Sequence, residues 1–296
     1  RGLGDVYKRQ VGARVQEESM GKEYDFFKDK GLHNESIDLG FNHKSGLFVN
    51  GGYTRNNHGG WQGDLTGREK RWHPKDQALM NGMFGFQNRN MNVWYRLDFL
   101  DEKIFGPNNG SELQPEKVSD KDFLTKRYTH QLQSDWKLDN RLDVHAALSY
   151  QDYKRRTRTT ESDLSTGEKW LSSAEASQDI TQYKAWIARA TVAWNIAPEF
   201  SVQPGVEYQW TQGEGGRIDG TPKVSDLAFF LSAEYKPWEW LSLRPGVRTF
   251  IVADYDAPIA IPSVLTKFKL TKHMDLRLSY AYGFRSPTLQ ELYFSF

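Results

Sequence analysis

The residues best equipped for chemistry lie in long polar stretches and form no compact catalytic motif. Phe284-Arg285-Ser286-Pro287 sets a guanidinium at the end of an alternating segment. Its paired donors can hold an anionic chelate, or close on a neighbouring carboxylate and shape a rim. Trp61, Arg71 and Trp72 share one polar stretch, and Trp170 beside Lys169 lies in another. Such rings can stack on a catecholate, porphyrin or sugar, or simply pack their own loops. The seven histidines, at 33, 43, 58, 73, 130, 145 and 273, are scattered without a metal-binding spacing. Gly213-Glu214-Gly215-Gly216 opens no apolar-periodic helix and lacks the Lys-Ser/Thr ending of a phosphate cradle, so it reads as an outer loop. No catalytic residue, metal site or cofactor is expected.

Composition narrows what could position these residues. The 296-residue chain carries 39 Lys+Arg against 38 Asp+Glu, so it offers no electrostatic footprint for nucleic acid. It has no cysteine, which removes disulfides and thiolate chemistry. No apolar run approaches the ~20 residues of a membrane-spanning helix. Ten Trp, fourteen Tyr and seventeen Phe are too many for a disordered chain. The length would allow about one to three ordinary domains, or one large all-β domain.

Position by position, the dominant period is two. Leu142, Val144, Ala146, Leu148 and Tyr150 alternate with Asp143, His145, Ala147, Ser149 and Gln151. Trp186, Ala188, Ala190, Val192, Trp194 and Ile196 share one face of the next such segment, and Leu276, Leu278, Tyr280 and Tyr282 one face of the last. Met91, Val93, Tyr95, Leu97 and Phe99 do the same upstream. Short turns near 44–46, 88–90, 139–140, 197–199, 237–239 and 272–273 alternate strictly with long connections at about 55–77, 102–122, 154–179, 212–225 and 254–262. A soluble sandwich has no cause for that rhythm. A transmembrane barrel does, because its strands end alternately at tight periplasmic turns and long outer loops. About twelve strands are expected, with a thirteenth around Val11–Val15.

Trp186 and Trp194, near the ends of one apolar face, and Trp238 and Trp240, flanking a short turn, read as a membrane-interface girdle. The run Lys154-Arg155-Arg156-Thr157-Arg158 is expected to begin an outer loop, either bridging lipopolysaccharide phosphates or as a solvated edge. Gln203-Pro204-Gly205-Val206 and Arg244-Pro245-Gly246-Val247 recur 41 residues apart. They read as one hairpin repeat with a bulge near the periplasmic rim.

The stretch Leu276 to Phe294, containing Gly283-Phe284-Arg285-Ser286-Pro287 and then Leu289-Gln290-Glu291-Leu292-Tyr293, resembles the barrel of TonB-dependent outer-membrane receptors. Leu243–Arg248 and Tyr95–Glu102 resemble barrel strands of the same family. The likeness is sharp over about 240–296 and continues as rhythm from about residue 30. It implies an all-β, antiparallel transmembrane β-barrel, here partial, with 12–13 strands of a probable 22. It further implies active import of a metal chelate, a siderophore or haem complex, through the outer membrane. The TonB system would act through a plug that is not visible in this sequence. Haem receptors carry Phe-Arg-Ala-Pro with a downstream His and Asn-Pro-Asn-Leu. Here Ser286 stands in place of Ala, and neither downstream feature falls within the sequence.

Residues 1–10 resemble a non-native leader, leaving 11–296 as the partial barrel domain, and Phe296 is expected to be an accident of truncation. The expected partners are outer-membrane lipid and lipopolysaccharide, the TonB system and a small-molecule metal chelate, with no nucleic acid. The rivals are a passive porin or smaller complete barrel, and a soluble carbohydrate-binding all-β protein. The soluble rival requires outer faces without a continuous apolar band about 25 Å tall.

Overall fold

The computed structural model describes residues 8–26, 30–216 and 218–293. Residues 1–7 of the expected leader and the terminal Phe296 lie outside the described residues, whereas 8–10 begin the first strand. Fourteen strands form one antiparallel sheet. Thirteen follow one another along it: β1 Lys8–Glu18, β2 Leu32–Asn42, β3 Leu47–His58, β4 Lys75–Gln87, β5 Met91–Gly106, β6 Lys117–Lys137, β7 Leu142–Asp163, β9 Ile180–Ala197, β10 Phe200–Glu214, β11 Lys223–Trp238, β12 Leu241–Val252, β13 Ile261–Thr271 and β14 Met274–Ala281. β8, Lys169–Leu171, pairs only with β7. Each strand pairs with its sequence neighbour because every second connection is a turn of two to four residues, too short for anything but an antiparallel hairpin. β1 and β14 are not paired with each other, so the sheet is an open wall among the described residues.

The long connections are shorter than expected because the strands run on into them. β6 and β7 have 21 and 22 residues, about 70 Å each at ~3.3 Å per residue. The run Lys154–Arg158 is therefore not the start of a loop. It lies inside β7, paired on one side with Asp122–Lys126 and on the other, through Lys154–Arg156, with Ile180–Gln182. Trp170 likewise sits on β8 and not in irregular chain, and Gly215 closes the β10–β11 loop through an isolated bridge to Ile218.

Register explains the period of two. One continuous row crosses ten strands as Phe41, Val49, Phe84, Tyr95, Leu132, Leu148, Ala188, Tyr208, Leu227 and Ile251. Many of its neighbours on that face are exposed, including Ile37, Met80, Trp186, Phe229, Val247, Leu278 and Tyr280. By contrast only Leu100, Val118, Ile218, Val224, Ala228 and Leu289 form a buried apolar core among the described residues. A soluble protein cannot leave its apolar face outward and bury so little; a wall between lipid and water can.

The Pro-Gly repeat is a hairpin device. Hairpins β9–β10 and β11–β12 each shift register beside their short turn, at Phe200/Ser201 and between Tyr235 and Trp238. The bulge is thus at the rim, several residues from the proline. Pro204 and Pro245, lacking an N–H, instead interrupt pairing with the preceding strand without changing register. Gly205 leaves room for the Phe230 ring to lie over its Cα, since a Cβ there would sit 2.3 Å from Phe230 Cζ.

Candidate functional site

The polar face is lined by paired charges and amides. At mid-strand, Glu207 lies between two guanidinia: Arg248 Nη2 donates at 2.6 Å and Arg189 Nη1 lies 3.4 Å away. Its carboxylate is only 10% exposed. The same two guanidinia bracket the Phe230 ring, at 4.8 and 5.7 Å from its centroid. This cluster carries one net positive charge and places two cations beside an aromatic plane. Sequence reading missed it because Arg189, Glu207, Phe230 and Arg248 are spread over four strands. The available signal was that each falls on the polar side of its own strand's alternation. His145, expected on the polar face, is there, its ring 2.8 Å from Asp135.

The expected ligand residues divide into three places at the long-loop end. Trp61 and Trp72 are brought together by reciprocal backbone hydrogen bonds at 2.9 and 3.0 Å, and their rings meet edge to face at 5.5 Å. Arg71 Nε donates to Asp64 at 2.9 Å, and this holds the Asp64 carboxyl below its ordinary range. Arg71, Trp72, His58, His73, Lys75 and Ile104 line an open groove of about 450 Å³. The loop is fixed from below by Arg68, which grips Asp120 with both terminal nitrogens at 3.0 and 2.6 Å. Asn109 accepts from the Arg68 backbone at 2.7 Å. Trp170 stands apart on β8, opposite Glu161 and half exposed.

Arg285 is in a third place. β14 ends at Ala281, and the chain then folds back so that helix α1, Leu289–Tyr293, packs on β10. Leu289 joins Ile218 and Val224 in a buried cluster with Tyr183 and Tyr255 around it. Gln290 Nε2 reaches the Tyr183 hydroxyl at 3.2 Å. Arg285 pairs with Glu291 of that helix, not with a neighbouring strand, and the Glu291 carboxyl is pushed down to about 2 by this guanidinium and by the Thr288 donors. Tyr255 rises to about 12, chiefly through burial. The segment thus closes over the polar face at the long-loop end. Its five-residue helix carries no long periodic signal, which is why sequence reading left Arg285 at a strand end.

The four tryptophans singled out for the interface all lie on the apolar face or its rim and are 39 to 57% exposed. Trp186 pairs in register with Tyr150 and Trp210, and Trp194 with Leu142 and Val202, eight residues closer to the short turns. Trp238 and Trp240 stack at 5.2 Å with planes 3° apart beside the β11–β12 turn.

A wall of antiparallel strands with one exposed apolar face, short turns at one end and long loops at the other defines an outer-membrane β-barrel protein. Residues 203–296 match the model of the TonB dependent receptor-like β-barrel, so this stretch is similar to that family. The whole chain is similar in fold to the ferric enterobactin receptor PfeA of Pseudomonas aeruginosa, with a TM-score of 0.63 at 11% identity over 95% of this chain and 44% of that one. It is also similar to the outer membrane transporter YddB of Escherichia coli, at 0.57 and 12% over 90% and 42%. The RagAB peptide transporter gives 0.58 and 10% over 88% and 39%. The chain therefore spans less than half of each of these relatives. No curated protein sequence matches it. The shared fold is that of a transmembrane β-barrel, in which an exposed apolar face meets lipid and the polar face looks into the lumen.

Proposed function

We propose that this chain, as one barrel domain over 11–296, supplies wall and outer loops to a TonB-dependent receptor that imports an iron chelate, a siderophore or haem complex. The observation that carries the reading is the outer groove in which Trp72 is flanked by Arg71, His58, His73 and Lys75. Haem is flat and anionic, and a catecholate siderophore presents aromatic rings and negative charge. The ring face offers stacking and the cations offer charge neutralisation, while Arg68–Asp120 keeps the loop in place. Elsewhere on the same polar face, on β9, β10 and β12, the Arg189–Glu207–Arg248 cluster offers further cations. Trp170 and Arg285 contribute to the mouth, Arg285 being available only when the Glu291 pair opens. Trp186, Trp194, Trp238 and Trp240 serve as the interface girdle. Energy would come from the TonB system through a plug.

The test is uptake of radioactive iron by cells lacking the gene and by cells carrying it. Transport of at least one siderophore or haem complex should require both the gene and TonB, and W72A should weaken binding of that chelate at the surface. Unimpaired uptake of every iron source in the deletion strain overturns the reading.

A further inference from the structure

We propose that the outward face of β6, β7 and β9, immediately above the aromatic belt, docks the phosphorylated headgroup of an outer-leaflet glycolipid. Alternation splits the basic run of β7: Arg155 turns inward, stacking on Phe123 at 4.5 Å, while Lys154, Arg156 and Arg158 share the face of Tyr150. Register then sets Lys154 directly opposite Lys126 on β6, and Lys184 of β9 opposite Asp152. Like charges placed opposite each other on one face destabilise a sheet unless an anion lies between them.

The protein's own carboxylates leave that role open. Asp122 is shared by Arg158 and Lys103, at 2.5 and 3.2 Å. Asp101 lies 3.6 Å from Lys126. Asp152 accepts from the Gln182 amide at 2.8 Å. Among the described residues, no carboxylate forms an ion pair with Lys154, Arg156 or Lys184. The six cations named on this face against three carboxylates leave three positive charges over. At the same height on β10 and β11, Gln212, Glu214 and Lys223 carry no such excess.

Height and continuity select the occupant. Lys184 is two residues beyond Trp186, and Lys126 two beyond Tyr128, whose ring packs on Phe99 at 4.7 Å. Lys154 and Arg156 are four and six beyond Tyr150. At ~3.3 Å per residue these cations stand roughly 7 to 20 Å along the strand above the belt. That is the layer of headgroup phosphates and first sugars, and the patch continues the lipid face below it without a break. A headgroup with two phosphates can bridge Lys154 to Lys126 and Arg156 to Lys184, binding Arg156 through its paired donors. The proposal rests on placement in the outer membrane and not on the cargo, so it stands or falls separately from the iron reading.

The protein purified from outer membranes is mixed with bis-phosphorylated lipid A or with its dephosphorylated form, and retained lipid is counted by native mass spectrometry. The wild type should retain the phosphorylated lipid at least about tenfold better. Lys154→Gln with Arg156→Gln and Lys184→Gln should lose that preference. Lys137→Gln with Arg141→Gln and Lys272→Gln, at the opposite rim, should keep it, as should excess inorganic phosphate. Equal capture of the two lipids by the wild type, displacement by phosphate, or an unchanged preference in the folded, heat-modifiable triple variant each overturns the proposal.

Discussion

The two faces of the same strands solve opposite problems with the same backbone. On β9 the outward set is Trp186, Ala188, Ala190, Val192 and Trp194, with both tryptophans exposed on the face that a barrel wall turns to lipid. The inward set holds Arg189 against Glu207 and the Phe230 ring, and Thr191 in a buried position. Inside, specific partners meet; outside, any apolar side chain suits lipid. The lesson is that polar average composition and membrane insertion are compatible once the two sets are separated by parity.

Charge at mid-membrane should break this asymmetry most strongly. Ala190→Arg on the lipid face is expected to cost about 2–4 kcal/mol, and Ser149→Arg on the lumen face less than about 1 kcal/mol. Urea unfolding in phospholipid vesicles checks both. Next, Glu207→Gln leaves two guanidinia facing each other without their shared negative charge, at a cost of about 1.5–3 kcal/mol. The same unfolding assay should find Arg248→Ala partly compensating in the double variant. Gly205→Val forces the Phe230 ring out from between the guanidinia, at about 1–3 kcal/mol. Phe230→Ala should absorb most of that cost in a double-mutant cycle.

The smallest effect belongs to the exposed outer pair. Glu291 titrates near 2 in the folded segment against an ordinary 4.5. Its folded value is depressed, so the contribution of the Arg285 pair is complete above about 4.5 and is lost only as pH falls through about 2. A spin label at Gln290 should therefore show the same mobility from pH 5 to 8. Glu291→Gln should raise that mobility while leaving global unfolding unchanged.

Parity made the wall legible in advance. The alternating sets of β7, β9 and β14 lie on one face as expected, and short turns fall where the sequence punctuates them. Loop extents were less legible. Polar residues beyond the membrane suit a solvated strand as well as a loop, so Lys154–Arg158 looked like a loop edge although β6 and β9 hold it in the sheet. Of the candidate ligand residues, Trp61, Arg71 and Trp72 were adjacent enough in sequence to predict as a group. The Arg285–Glu291 closure depends on a segment crossing back to β10, and the Glu207 cluster on registers between four strands. Local pattern encodes neither.

The two-faced wall is the central claim, and the absence of cysteine from the sequence makes it directly measurable. Single cysteines placed in turn at positions 186 to 196 carry a nitroxide in bilayers, and its accessibility to oxygen and to a water-soluble nickel complex is recorded. The predicted result is a period of two across the eight-residue span from Trp186 to Trp194, with even positions favouring oxygen and odd positions favouring nickel. Uniform nickel access, or an inverted phase with the odd positions in lipid, would contradict the account.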